Sequence, residues 1–188
     1  MNETRRLFLL SALTGLAGTA SLAFAPALAG AALPIRSATE VLRAVAAAQP
    51  ALSYHAAGPD DGRPIVFARQ PGDSIEDYAA TASLLAAQGY RVLLPSLREA
   101  DAATLGQDLI AFIDSLHIPE AVFIGSVQSA QAARAAAQLR RTRIIGLVLA
   151  DGAPAPTNIP TIGLATGATP QQIADAAATL VRQGKWRT

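Results

Sequence analysis

Four nearly unbroken apolar runs constrain this chain more than any other feature: Ile65-Val66-Phe67-Ala68, Arg91-Val92-Leu93-Leu94-Pro95, Ala121-Val122-Phe123-Ile124-Gly125 and Ile144 to Leu149. A strand wetted on one face alternates apolar with polar residues. A short continuous run bounded by turn signals is a strand covered on both faces. Helical segments separate the runs. The first is capped by Asp73-Ser74 and continues to Gln88, where Gly89 ends it. The second runs from Thr104 to Leu116, with Leu105, Leu109, Phe112, Ile113 and Leu116 on one face at helical spacing. The third spans Gln128 to Leu139. After a Pro-rich turn, Thr161 to Ala165 reads as a last strand and Gln171 to Arg182 as a last helix, while His55 belongs to an earlier strand or its end. Such alternation with short loops predicts a three-layer α/β domain, a parallel sheet with helices on both faces. No repeat or internal boundary interrupts residues 51–188.

The first residues read as an address. Thr4-Arg5-Arg6-Leu7-Phe8-Leu9-Leu10 precedes an Ala/Gly-rich apolar stretch to Phe24, and Ala27-Leu28-Ala29 has the small-x-small form of a cleavage site. Paired arginines ahead of a mildly apolar segment resemble a twin-arginine export signal over residues 1–29, which places the mature protein in the periplasm. An ordinary secretory signal and an uncleaved anchor are the alternatives, although Thr14, Gly15, Gly18 and Thr19 make a poor permanent span. Residues 30–50 read as a Pro-containing linker and a short helix from the Ser37/Glu40 capping box to about Ala48, stopped by Pro50.

Composition excludes several functions. The chain carries 15 Lys+Arg against 14 Asp+Glu, and removing Arg5, Arg6 and Glu3 with residues 1–29 leaves the two signs balanced. A neutral domain has no electrostatic attraction to nucleic acid. With no cysteine, disulfides, thiolate catalysis and thiolate metal sites are absent. Its 2 histidines, His55 and His117, are too far apart in sequence to suggest a histidine metal site. No cofactor or metal is expected.

The ordered segments of residues 51–183 resemble the α/β-hydrolase family. Gly62 to Phe67 looks like the strand leading to the oxyanion loop, and Pro71-Gly72-Asp73-Ser74 like the start of the next helix. Leu84 to Pro95, with Gly89-Tyr90-Arg91-Val92 at its centre, is similar to the family's following helix–strand stretch. Leu109 to Ile118 and Ala121 to Gly125 resemble the helix and strand that deliver the nucleophile. Ile145 to Pro154 and Ile159 to Leu164 resemble the two strands after it.

The resemblance implies a Gly-x-Ser-x-Gly elbow, and the matching segment is Gly125-Ser126-Val127-Gln128-Ser129. Val127 occupies the nucleophile position, and a β-branched residue suits the positive φ of that turn badly. Ser126 and Ser129 read as turn or helix-start serines. The acid position falls in Ala165 to Pro170, which has no carboxylate; Asp151 is the nearest stand-in and reads as a strand-end turn residue. No histidine follows His117. In the oxyanion loop, Ala68-Arg69 replaces the usual His-Gly, with Arg69 read as solvated, as a cover over the pocket mouth, or as an anion contact. Ala153 to Asn158 stands where many relatives insert a cap, which would leave an open apolar upper face. No catalytic residue is therefore expected. The expectation is a non-catalytic accessory subunit of a larger exported or membrane-bound partner, such as an envelope oxidoreductase. Alternatives are a hydrolase with a rebuilt site, and a module that takes a small apolar ligand in the vestigial pocket near Val127 and Arg69.

Overall fold

The computed structural model describes residues 43–45, 53–153 and 158–187. The export signal, the linker and most of the short helix expected before Pro50 lie outside these residues. Among the described residues seven strands form one sheet: β1 (Arg43–Val45), β2 (Tyr54–Ala57), β3 (Pro64–Ala68), β4 (Arg91–Pro95), β5 (Ala121–Ser126), β6 (Ile144–Ala150) and β7 (Thr161–Gly163). Four helices alternate with the later strands: α1 (Glu76–Ala87), α2 (Ala102–Ser115), α3 (Ala130–Leu139) and α4 (Pro170–Gln183). The spatial order is β1-β2-β4-β3-β5-β6-β7.

Strands β4, β3, β5, β6 and β7 run parallel, as the apolar runs predict, with Ile65 to Ala68 opposite Val122 to Gly125. The other edge departs from a purely parallel sheet. β2 pairs antiparallel with β4, and β1 antiparallel with β2. The helix expected around 37–48 is therefore corrected at 43–45, where Arg43, Ala44 and Val45 lie opposite Ala56, His55 and Tyr54. Pairing with an open sheet edge outweighs the modest helix preference of an Ala-rich stretch.

Both faces are covered, and successive residues of each run go to opposite layers. Val66, Leu93, Phe123, Leu147 and Leu149 pack under α2 and α3. Ile65, Phe67, Val92, Leu94, Val122, Ile124 and Val148 pack under α1 and α4. Such two-sided burial leaves no room for alternation, which is why the runs are apolar throughout. At Gly125 a Cβ would lie 2.7 Å from the Ala130 Cα, so only glycine lets α3 start this close to β5.

Helix starts differ from the sequence reading in one instructive place. Asp101 caps α2 by accepting from the Thr104 N–H, and Thr169 with Gln172 forms a capping box on α4. Asp73 does not cap α1, whose first residue is Glu76, while Ser74 Oγ accepts the Glu76 N–H at 3.3 Å. Ser74 bonds the Glu76 carboxylate, while Asp73 turns away from the helix into the cavity described below. No described helix is long and apolar enough to cross a membrane.

Candidate functional site

Because the chain steps from β3 to β4 on one side and then returns to β5 on the other, the loops leaving β3 and β5 diverge around a crevice. In open α/β sheets such a switch point, at the C-terminal ends of the strands, is where ligands bind. Here the crevice is a cavity of about 300 Å³ whose walls include Phe67 of β3, Asp73, Asp77, Tyr78 and Thr81, Ile124 to Gln128, Ala150 and Ile173. A separate cavity of about 500 Å³ lies near the opposite end of the sheet, beside Ile144 and Pro160 and the end of α4.

The turn after β5 is relaxed. Among described non-glycine residues, only His117 has a positive φ, so Val127 is spared the left-handed conformation a nucleophile elbow imposes. Val127 is 50% exposed. Its neighbours are tied down instead. Ser129, 1% exposed, accepts the Ser126 N–H at 2.9 Å through its Oγ, and the two hydroxyls lie 3.1 Å apart. Ser126 Oγ is also 3.5 Å from the Tyr78 hydroxyl, which donates to Asp73 Oδ2 at 2.5 Å. Burial, followed by the Asp73 hydrogen bond, pushes the Tyr78 pKa well above the ordinary phenol value. Tyr78 therefore remains protonated and a donor.

One direction uses every proton of this chain: Ser129 hydroxyl to Ser126, Ser126 to Tyr78, Tyr78 to the Asp73 carboxylate. Asp73 Oδ2 also accepts the Gln70 backbone N–H at 3.0 Å, which spends an amide of the oxyanion loop on a carboxylate. The Gln70 side chain donates to the Gln128 carbonyl at 2.8 Å and ties that loop to the elbow.

The remaining sequence-singled residues fall as follows. Arg69 is partly exposed and is not among the residues lining the cavity. Its guanidinium donates to the Asp73 carbonyl at 2.6 Å and to Ser96 Oγ at 3.2 Å, tying the loop after β3 to the end of β4. Asp151 reaches the same edge of the sheet, since Ser126 lies opposite Ala150. There it forms a 2.6 Å ion pair with Arg134, the two side chains being 9% and 8% exposed. Its Oδ1 accepts the Ala153 N–H, the strand-end turn that the sequence suggests. The Arg134 bond holds the Asp151 pKa below the usual carboxylate value. His55 sits on β2 opposite Leu94, and His117 is exposed in the link into the start of β5, at the far end from the elbow. Neither imidazole reaches the cavity wall.

The loop expected to hold an acid, Ala165 to Pro170, turns at Gly167 (φ +84°) and serves as the start of α4. Residues 151–160 alone join β6 to β7, with 154–157 outside the described residues. The open apolar face expected above the sheet is not found among the described residues. Their exposed large apolar side chains are Val127 and Leu139, which flank opposite ends of α3. Among the described residues no group of His, Asp or Glu could hold a metal ion. Sequence reading missed Tyr78 and Asp77. Tyr78 looks like one more apolar helix position until β3 and β5 are placed beside it, and only the Asp73 signal was available in advance.

The sequence matches no family model and no curated protein significantly. Solved structures do match. A candidate epoxide hydrolase from Klebsiella pneumoniae aligns with 62% of this chain and 43% of its own, at 26% identity and TM-score 0.53. An α/β-hydrolase fold protein from Chitinophaga pinensis aligns with 60% of this chain and 44% of its own, at 13% identity and TM-score 0.52. The epoxide hydrolase VrEH1 from Vigna radiata aligns with 60% and 40%, at 21% identity and TM-score 0.51. The chain thus spans about two fifths of the length of these structures. Strand order, switch-point cavity and structural neighbours agree that the fold is α/β-hydrolase-like.

Proposed function

We propose that this protein is a non-catalytic, exported α/β-hydrolase-like protein that serves as an accessory subunit of a larger exported or membrane-bound partner, such as an envelope oxidoreductase. The observation that carries the non-catalytic half is the elbow itself: its exposed position is Val127, which has no nucleophilic atom, and neither imidazole reaches the cavity wall to serve as a base for a neighbouring serine. Hydrolysis must also stabilise developing negative charge, whereas the carboxylates of Asp73 and Asp77 line this cavity. The structural neighbours include enzymes, so the competing reading is a hydrolase with a rebuilt site. The accessory role is supported by the twin-arginine-like signal, a route suited to export of folded assemblies.

The test is recovery of the tagged protein from a native envelope extract of its own source. One large partner in near-equal amount is the expected result. A lone, monodisperse monomer overturns the accessory role. A second reading, a small-molecule binding module, is favoured by the cavity at the switch point.

A further inference from the structure

We propose that the switch-point cavity binds a small organic cation, an ammonium group carried on a compact apolar body. This deepens the binding-module reading of the same site. It replaces the apolar ligand expected from sequence, because the cavity is not apolar where it matters.

Three observations point the same way. First, the Ser129, Ser126 and Tyr78 hydroxyls at the cavity can donate along one another to Asp73. With the protons running from Ser129 through Ser126 and Tyr78 to Asp73, Ser126 Oγ keeps only lone-pair capacity for a ligand. Second, two carboxylates line the cavity and no cationic side chain does. Asp73 uses Oδ2 for Tyr78 and the Gln70 amide, while Oδ1 has no hydrogen-bond donor among the described residues. Asp77 has no side-chain partner there either. Arg69, outside the cavity wall, donates to the Asp73 carbonyl and to Ser96, and its Nε has no hydrogen-bond partner among the described residues. Third, the Thr81 side chain lines the cavity, is 2% exposed, and makes no hydrogen bond among the described residues. A hydroxyl that lines a cavity and has no protein partner leaves a place for a polar guest.

An ammonium group supplies three donors and accepts nothing, which complements acceptors at Asp73 Oδ1, Asp77 and Ser126 Oγ. Phe67, Ile124, Val127 and Ile173 provide the apolar wall for the body of such a ligand. At about 300 Å³ the space is at the lower bound of small-molecule sites, so the guest is compact.

The experiment titrates the full-length protein with butylammonium, butanol and butyrate, three probes of similar size and different charge, and follows heat of binding and melting temperature. Butylammonium at millimolar concentration should bind and raise the melting temperature, with butanol weaker and butyrate inert. Asp77→Asn, a surface change that leaves the fold intact, should weaken butylammonium binding about tenfold through loss of a charge-assisted contact. Thr81→Val, close to isosteric, should weaken it less. Equal binding of all three probes, no binding of butylammonium, or full affinity in Asp77→Asn overturns the proposal. Ester turnover measured on the same sample keeps the two claims apart. Turnover without ammonium binding defeats both, turnover inhibited by butylammonium defeats only the non-catalytic reading, and neither activity defeats only the cation site.

Discussion

Along β3, β5 and β6, side chains fall alternately into the α2/α3 core and the α1/α4 core, so every position answers to a packed neighbour. The loops leaving the same strands, at 69–75, 127–129 and 151–153, answer mainly to one another. Gln70 bonds Asp73 and Gln128, Ser129 bonds Ser126, and Asp151 bonds Arg134 and Ala153. The contrast shows two kinds of constraint within one fold. Sheet and helices are held by steric requirements that admit few residues, while a strand-end loop needs only to satisfy its own polar groups. Here the strand-end polar groups close the loops internally.

Asp151 gives the hardest test of that distinction, because it is a loop residue whose side chain is largely enclosed against Arg134. Removing it leaves Arg134 charged and enclosed, and breaking a buried pair costs about 3 kcal/mol. Asp151→Ala should lower the denaturation midpoint accordingly, at unchanged m-value. Its pKa is depressed in the fold, so its contribution is present above the unfolded carboxylate pKa and is lost as pH falls through the folded value. Stability of the wild type should therefore drop on acidification, and Asp151→Ala should flatten that drop. A variant as stable as wild type would place Asp151 with the expendable loop residues.

A core position should respond next most strongly. In Gly125→Ala the new methyl meets the Ala130 backbone, and overpacking of this kind costs about 2 kcal/mol. Thermal unfolding checks it, and a neutral result would mean that α3 can slide away from β5. The smallest effect belongs to Val127→Ser, which puts a hydroxyl back at the elbow position. Val127 is half exposed and has no strained φ, so stability should change by less than about 0.5 kcal/mol. No esterase activity should appear, because no imidazole reaches the site. Gain of turnover would show that the loops retain more of a hydrolase than their hydrogen bonds suggest.

Much of the scaffold was legible in the sequence for a physical reason: a strand covered on both faces must be apolar at each position, and β3 to β6 show this directly. The antiparallel edge was hidden. Arg43 to Val45 has no pattern of its own, and its strand exists through pairing with β2. The valine at position 127 was equally plain, since it concerns residue identity at a fixed place in the order of elements. What the neighbours do instead was not. Asp73 looks like a helix cap until the Tyr78 hydroxyl is placed against its carboxylate, and Arg69 looks like a surface charge until Ser96 is brought beside it. The Arg69 contact joins two loops that only the folded sheet makes neighbours.

The most direct test of the central claim is hydrolysis of an activated ester by the purified full-length protein, alongside Ser126→Ala and Ser129→Ala. The account predicts that all three proteins turn over ester no faster than buffer. A rate above buffer that falls in Ser126→Ala or Ser129→Ala would contradict it.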